Sequence, residues 1–364
     1  MFSSNCIIAS TLPTNLDKWE ISNPEDSETT RSEFLAIRKA WKSLDPFFAS
    51  RGYLLYQTLA TSSALVPPSD MNTAGPPANA DDRYARPVYN TDQDLCFSTG
   101  AYAVRIWPAR DRHGHEVIIK VVADEYPSSE LEILQFLDTK ESRSDPRNHT
   151  IPIIEFLKFE KFTFVVMPRW CHSFWPDFGT VNQLMHFTQS FLEAFDFLHE
   201  NHIVHADFLE QNTAMNVIYP DGRWFIRGLR DPQATRYALI DFGFSKKYPV
   251  DIPIDETEED RDYNFGTRGI PEPRNPYNPF KVDIIGMGLI LQRWVRHLED
   301  IVPELGDFFD GMVTGDFEKR FTARQALLRF NEVYSSLSKF QLNHEVANRW
   351  WEGGQVQVKE DDIY

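Results

Sequence analysis

Phe191 to Asn212, FLEAFDFLHENHIVHADFLEQN, is the stretch on which the fold turns. Phe191, Phe195 and Leu198 recur at the spacing of one helical face, which predicts the end of an amphipathic helix. The apolar pair Ile203-Val204 then leads into His205-Ala206-Asp207, and Asn212 stands five residues beyond Asp207. One carboxylate and one amide at that interval carry little weight by themselves.

Two more stretches add to it. Tyr237 to Lys246, YALIDFGFSK, is an apolar strand ending in Asp241-Phe242-Gly243, where the glycine frees the following backbone. Alone, this is a strand running into a turn. Glu116 to Val122, EVIIKVV, alternates as a strand does and carries Lys120, and the helical pattern SELEILQFL that follows opens with Glu130. A strand lysine ordinarily faces solvent.

Taken together and in this order, the three stretches resemble the protein kinase superfamily, with its H-R-D-x-x-x-x-N loop, D-F-G triplet and strand lysine. The resemblance implies an α+β, two-lobed protein kinase-like fold with a small β-rich N-lobe and a larger helical C-lobe. It implies ATP and Mg2+ as cofactors, and transfer of the γ-phosphoryl group to a protein hydroxyl, serine or threonine rather than tyrosine. Asp207 is then the catalytic base, and Asn212 and Asp241 hold magnesium, a hard cation that takes oxygen ligands. Lys120 grips the phosphates and pairs with Glu130 rather than Glu132. The nucleotide is lined by Gly100, Ile118, Lys120, Met167, Ala214 and Asp241.

Three later features resemble protein kinases more than small-molecule kinases. Gly266-Thr267 with Pro271-Glu272 looks like the end of an activation segment. Asp283-Ile284-Ile285-Gly286-Met287-Gly288 opens a run that is apolar all round, as in a buried central helix. GDFEKRFTARQAL, Gly315 to Leu327, resembles a segment whose Arg320 pairs with Glu272. The resemblance runs from about 95 to 335. It is nearest to the divergent kinase-like domains of mushroom-forming fungi, which carry an element like Tyr277-Asn278-Pro279-Phe280 before the central helix.

The chain also departs from the family. Ser98 to Val104, STGAYAV, keeps only Gly100 of the glycine-rich loop. Ala206 replaces the arginine that binds an activation-loop phosphate, and Leu209 replaces a lysine that contacts the γ-phosphate. Ile118 and Ala214 exchange large and small residues across the adenine slot. These changes raise a second reading, a pseudokinase acting as a nucleotide-binding or interaction scaffold, and Ala206, a small residue before Asp207, raises a third, a small-molecule kinase.

The 364 residues are 42% hydrophobic, enough for a large core, and a net charge of −17 argues against nucleic acid or an anionic membrane as partner. Cys6, Cys96 and Cys171 have no paired spacing, which implies neither a disulfide framework nor zinc. No stretch approaches the roughly 20 apolar residues of a membrane span, so an intracellular protein, cytoplasmic or nuclear, is expected. Residues 1–90 read as an N-terminal extension, 91–338 as the kinase-like domain and 339–364 as a polar tail. Within the extension, Thr30 and Glu33 read as a capping box for a helix whose face Phe34, Ile37, Trp41 and Leu44 docks on the main domain, with Pro46 ending it. Residues 65–90 have linker composition, and the run Asp255 to Asp262 reads as a solvated acidic loop.

Overall fold

The computed structural model describes residues 12–58, 64–69, 83–88, 95–98, 104–219, 226–260, 276–346 and 348–358. It is a mixed α+β chain that divides into two compact units: 1–132, 152–171 and 216–222 form the first, and 133–151, 172–215 and 223–364 the second.

The first unit is built on an antiparallel sheet. Its strands are β1 (Tyr53–Leu55), β2 (Ile106–Asp111), β3 (Glu116–Ala123), β4 (Glu155–Phe159) and β5 (Phe162–Pro168), in the order β1-β2-β3-β5-β4. Alternation sorts β3 into two faces. Val117, Ile119 and Val121 join a core with Trp107, Phe162, Phe164 and Val166. Ile118 and Lys120 take the other face, opposite Met167 and Val165 of β5.

Helix α1 (Ser27–Ser43) covers the first face, contributing buried Ile37, Ala40 and Trp41. The Trp41 ring lies against Trp19, Phe48, Trp107 and Phe164, with centroids 5.3 to 6.1 Å apart, and its Nε1 donates to the Val104 carbonyl at 3.0 Å. Aromatic contacts at such distances add to the area buried. The capping differs from the expected box. Asp26 is the N-cap, accepting from Glu28 N, while Glu33 accepts from Ser22 N and Oγ. Pro46 lies in the first turn of a second helix, α2 (Asp45–Ser50), where its missing N–H costs nothing.

The boundary expected near residue 90 therefore does not separate the compact units. β1 pairs with β2 in register Tyr53↔Asp111 to Leu55↔Ala109, and a buried polar cluster ties the flanking chain down. Arg110 Nε donates to Glu116 Oε1 at 2.7 Å, Tyr56 donates its hydroxyl to the same carboxylate, and Arg169 donates to Tyr56 Oη and to the Leu95 and Cys96 carbonyls.

After helix α3 (Ser129–Leu137), helix α4 (Val181–Glu200) of the second unit is N-capped by Thr180 and buries Phe187, Phe191, Phe195 and Leu198. Short strand pairs follow: β6 (Ile203–Val204) with β9 (Lys246–Lys247), and β7 (Thr213–Met215) with β8 (Tyr237–Leu239). Helix α5 (Pro279–Val295), capped by Asn278, is buried on most of its surface. A Cβ at its Gly288 would sit 2.9 Å from Met312, so only glycine allows helix α6 (Glu304–Val313) this close. Helix α7 (Ala323–Ser336) completes the unit with a capping box of Thr322 and Gln325.

The end of the chain is not a polar tail throughout. β10 (Arg349–Glu352) and β11 (Gln355–Val358) form a hairpin, with Arg349 bonded to the His297 carbonyl at 3.1 Å and to Asp300 at 2.7 Å. Among the described residues no helix is long and apolar enough to cross a membrane.

Candidate active site

In the second unit the conformation of the 205–212 loop is fixed from below. Asp283, wholly buried on α5, accepts from His205 N and Ala206 N, both at 2.8 Å, and lies 3.1 Å from His199 Nε2. These bonds hold Ala206 at φ 62°, a left-handed conformation costing an alanine roughly 1–2 kcal/mol. Charge-assisted bonds to a carboxylate are strong enough to offset that cost. The His205 ring is buried, with Nδ1 accepting from Asp207 N at 3.3 Å and Nε2 lying 3.2 Å from the Ile240 carbonyl. A ring carrying its proton on Nε2 satisfies both contacts.

Asp207 and Asn212 meet directly. Asn212 Nδ2 donates to Asp207 Oδ2 at 2.6 Å and to the Asp207 carbonyl at 2.9 Å, closing the loop. The β7–β8 ladder brings the other stretch alongside, since Ile240 N donates to the Asn212 carbonyl at 3.0 Å and Asp241 is the next residue. Asp241 also adopts φ 62°, with Phe242 buried against the His205 ring at 5.1 Å. This turn leaves the Asp241 side chain exposed, its Oδ1 3.3 Å from Gly243 N.

Burial, and next the Asp241 carboxylate, push Asp207 up to about 6; the Asn212 bond opposes this and Asp283 adds to it. A carboxyl with such a value can exchange a proton near neutrality.

The metal fit can be judged from the donors. Asn212 directs its Nδ2 at Asp207, which leaves Oδ1 as an oxygen donor, and Asp241 supplies a carboxylate on an exposed turn. Among the described residues no group of three or more His, Cys, Asp or Glu is placed to hold a metal. Magnesium is commonly held by one or two carboxylates plus phosphate and water, so an aspartate and an amide fit it.

In the first unit Lys120 Nζ donates to Glu130 Oε1 at 2.5 Å, both side chains being at most 9% exposed. Glu132 is exposed. Ile118, Lys120 and Met167 share one face of the sheet, and Ile106 pairs with Lys120 across the ladder. Ala214 is buried in β7 of the second unit, opposite Ala238. Gly100, Gly266, Thr267, Pro271 and Glu272 lie outside the described residues; Arg320 donates to the Thr314 and Lys281 carbonyls.

Sequence reasoning passed over Asp283 as a participant, treating it as the start of an apolar helix. The signal was there. A lone carboxylate in a run that is otherwise buried must find donors, and the amides of the loop are those donors. In the acidic run Asp255, Glu256, Glu258 and Asp260 are exposed, as expected of a solvated loop, but Glu259 is 6% exposed and Thr257 2%.

No protein-family model matches the chain, and comparison with curated proteins finds no match.

Proposed function

We propose that the chain is a protein kinase-like phosphotransferase of two-lobed kinase fold, moving the γ-phosphoryl group of ATP to a protein hydroxyl. The observation that carries this reading is the second unit's loop, in which Asp207 is bonded to Asn212 and the Asp241 turn is laddered beside it. Phosphoryl transfer asks mainly for positioning and charge neutralisation, and the loop carrying these residues is held by the buried Asp283.

In this reading Asp207 Oδ receives the proton of the attacking hydroxyl, aided by its raised value. Asn212 and Asp241 would hold the magnesium, which would supply neutralisation of phosphate charge. Lys120, oriented by Glu130, offers its ammonium to phosphate oxygens. The departures at Leu209 and in the glycine loop favour the scaffold reading instead, in which nucleotide binding survives and transfer does not.

The test is thermal melting with and without MgATP on the parent and on Asp241→Asn, since a ligand bound only to the native state raises stability by about 2.7 kcal/mol at 100 times Kd. The parent is expected to gain stability and the variant to gain none. Equal gains in both would remove Asp241 from the metal site, and no gain in either would remove the nucleotide.

A further inference from the structure

Within the second unit a buried carboxylate sits where nothing in the proposed chemistry requires one. Glu259 Oε2 accepts from Lys246 Nζ at 2.7 Å and from Tyr248 Oη at 2.8 Å, and its side chain is 6% exposed. Its backbone exchanges two hydrogen bonds with Tyr277, each 2.9 Å long.

Those contacts close a circuit around the candidate active site. Lys246 belongs to β9, paired with Val204 in β6, the strand that runs into His205-Ala206-Asp207. Ser245 Oγ donates to the His205 carbonyl at 2.9 Å, and Tyr248 N to the His202 carbonyl at 2.8 Å. Tyr277 precedes Asn278, the cap of α5, and α5 carries Asp283, which holds the His205 and Ala206 amides. One residue thus joins the two: its carboxylate holds the strand after Asp241, and its backbone holds the chain leading into the helix that fixes the Asp207 loop. Val204, Tyr248 and Phe280 fill the space inside this circuit as a small apolar cluster, with Ala206 and Ile254 packed on it.

We propose that Glu259 is a positioning residue: its carboxylate, bonded to Lys246 and Tyr248, sets the 246–260 segment and through it the Asp207 loop, so that competence does not await a phosphate there. This rests on the proposed phosphotransferase reading. Ala206 provides no cation to receive such a phosphate, whereas Lys246 is already engaged by Glu259. The nearby hydroxyl of Thr257 is buried and donates to the Pro253 carbonyl at 3.0 Å, so it is not presented for modification. A charge-assisted bond to a buried carboxylate is shorter and stronger than a neutral one, which suits a constitutive tether.

The experiment compares full-length parent, Glu259→Gln, Lys246→Met and the double variant, before and after phosphatase treatment. Two readouts are taken: phosphoryl transfer from ATP, and hydrogen exchange at the Tyr248 and Glu259 amides. Phosphatase should leave parent turnover unchanged. Each single variant should lose protection at both amides and lower kcat by about 10- to 100-fold with the KM for ATP unchanged, while exchange within α4 stays as in the parent. The double variant should be no worse than either single one, since both remove the same interaction. Loss of parent turnover on phosphatase treatment, unaltered protection in both single variants, or additive effects in the double would overturn the proposal. If the parent transfers no phosphoryl group, the phosphotransferase reading fails, and the exchange pattern still decides whether Glu259 tethers the segment.

Discussion

Asp207 and Asp283 are both acids of the second unit, and their surroundings give them opposite tasks. Asp283 is sealed and gives its oxygens to amides, so Asp283→Ala should strand the buried His205 N–H and the half-buried Ala206 N–H and cost about 2 kcal/mol in urea unfolding. Asp207 is only partly enclosed and its proton is held up to about 6. An acid raised above its ordinary value favours the folded state at low pH, and that contribution is lost as pH rises through about 6. Asp207→Asn should therefore melt above the parent at pH 7.5 without metal, with the gap closing toward pH 4; a gap constant with pH would contradict the burial of this carboxyl. Turnover, by contrast, should rise with pH through the same range, because only the ionised group accepts a proton. The positions of Asp207, Asn212 and Asp241 were readable from motif spacing, since each interval is short and local. The left-handed turn at Ala206 was not, because its cause, Asp283 on α5, lies 77 residues away.

At the scale of elements, α1 shows how far amphipathic periodicity reaches. Its buried face was legible as Ile37, Trp41 and Leu44, yet its start was not, because Asp26 competes with Thr30 as a cap and Glu33 finds Ser22 instead. Periodicity reports which side is apolar, while capping depends on where the preceding chain lies. The same limit explains β1: three residues carry little pattern, and pairing with β2 is what makes them a strand. Trp41→Ala should destabilise the first unit by about 3–5 kcal/mol, the usual cost of emptying an aromatic core site. Glu116→Ala should cost a similar amount, about 3–5 kcal/mol, because it strips the carboxylate shared by Arg110 and Tyr56 from a buried cluster. Glu116→Gln, retaining an acceptor, should cost less. Chemical denaturation of the three variants reads these differences directly, and surface-like losses below about 0.5 kcal/mol would mean that the cluster is not buried as described.

For the molecule as a whole, each unit holds its own set of candidate residues in place: Lys120 with Glu130 in one, Asp207, Asn212 and Asp241 in the other. On the proposed reading the chain lacks a lysine charge at Leu209 and all but one glycine of the phosphate loop, so a slow enzyme is expected. Kinase turnover is roughly 1 to 100 per second, and removing one such donor costs on the order of 100- to 1,000-fold, which places this chain well under about one per second on a generic protein substrate. The most direct test is transfer from radiolabelled ATP, with magnesium and then manganese, by the purified parent and by Asp207→Ala. A weak parent signal that disappears in the variant is the predicted result; the same background in both, in a protein that still binds nucleotide, would contradict the account and make the chain a scaffold.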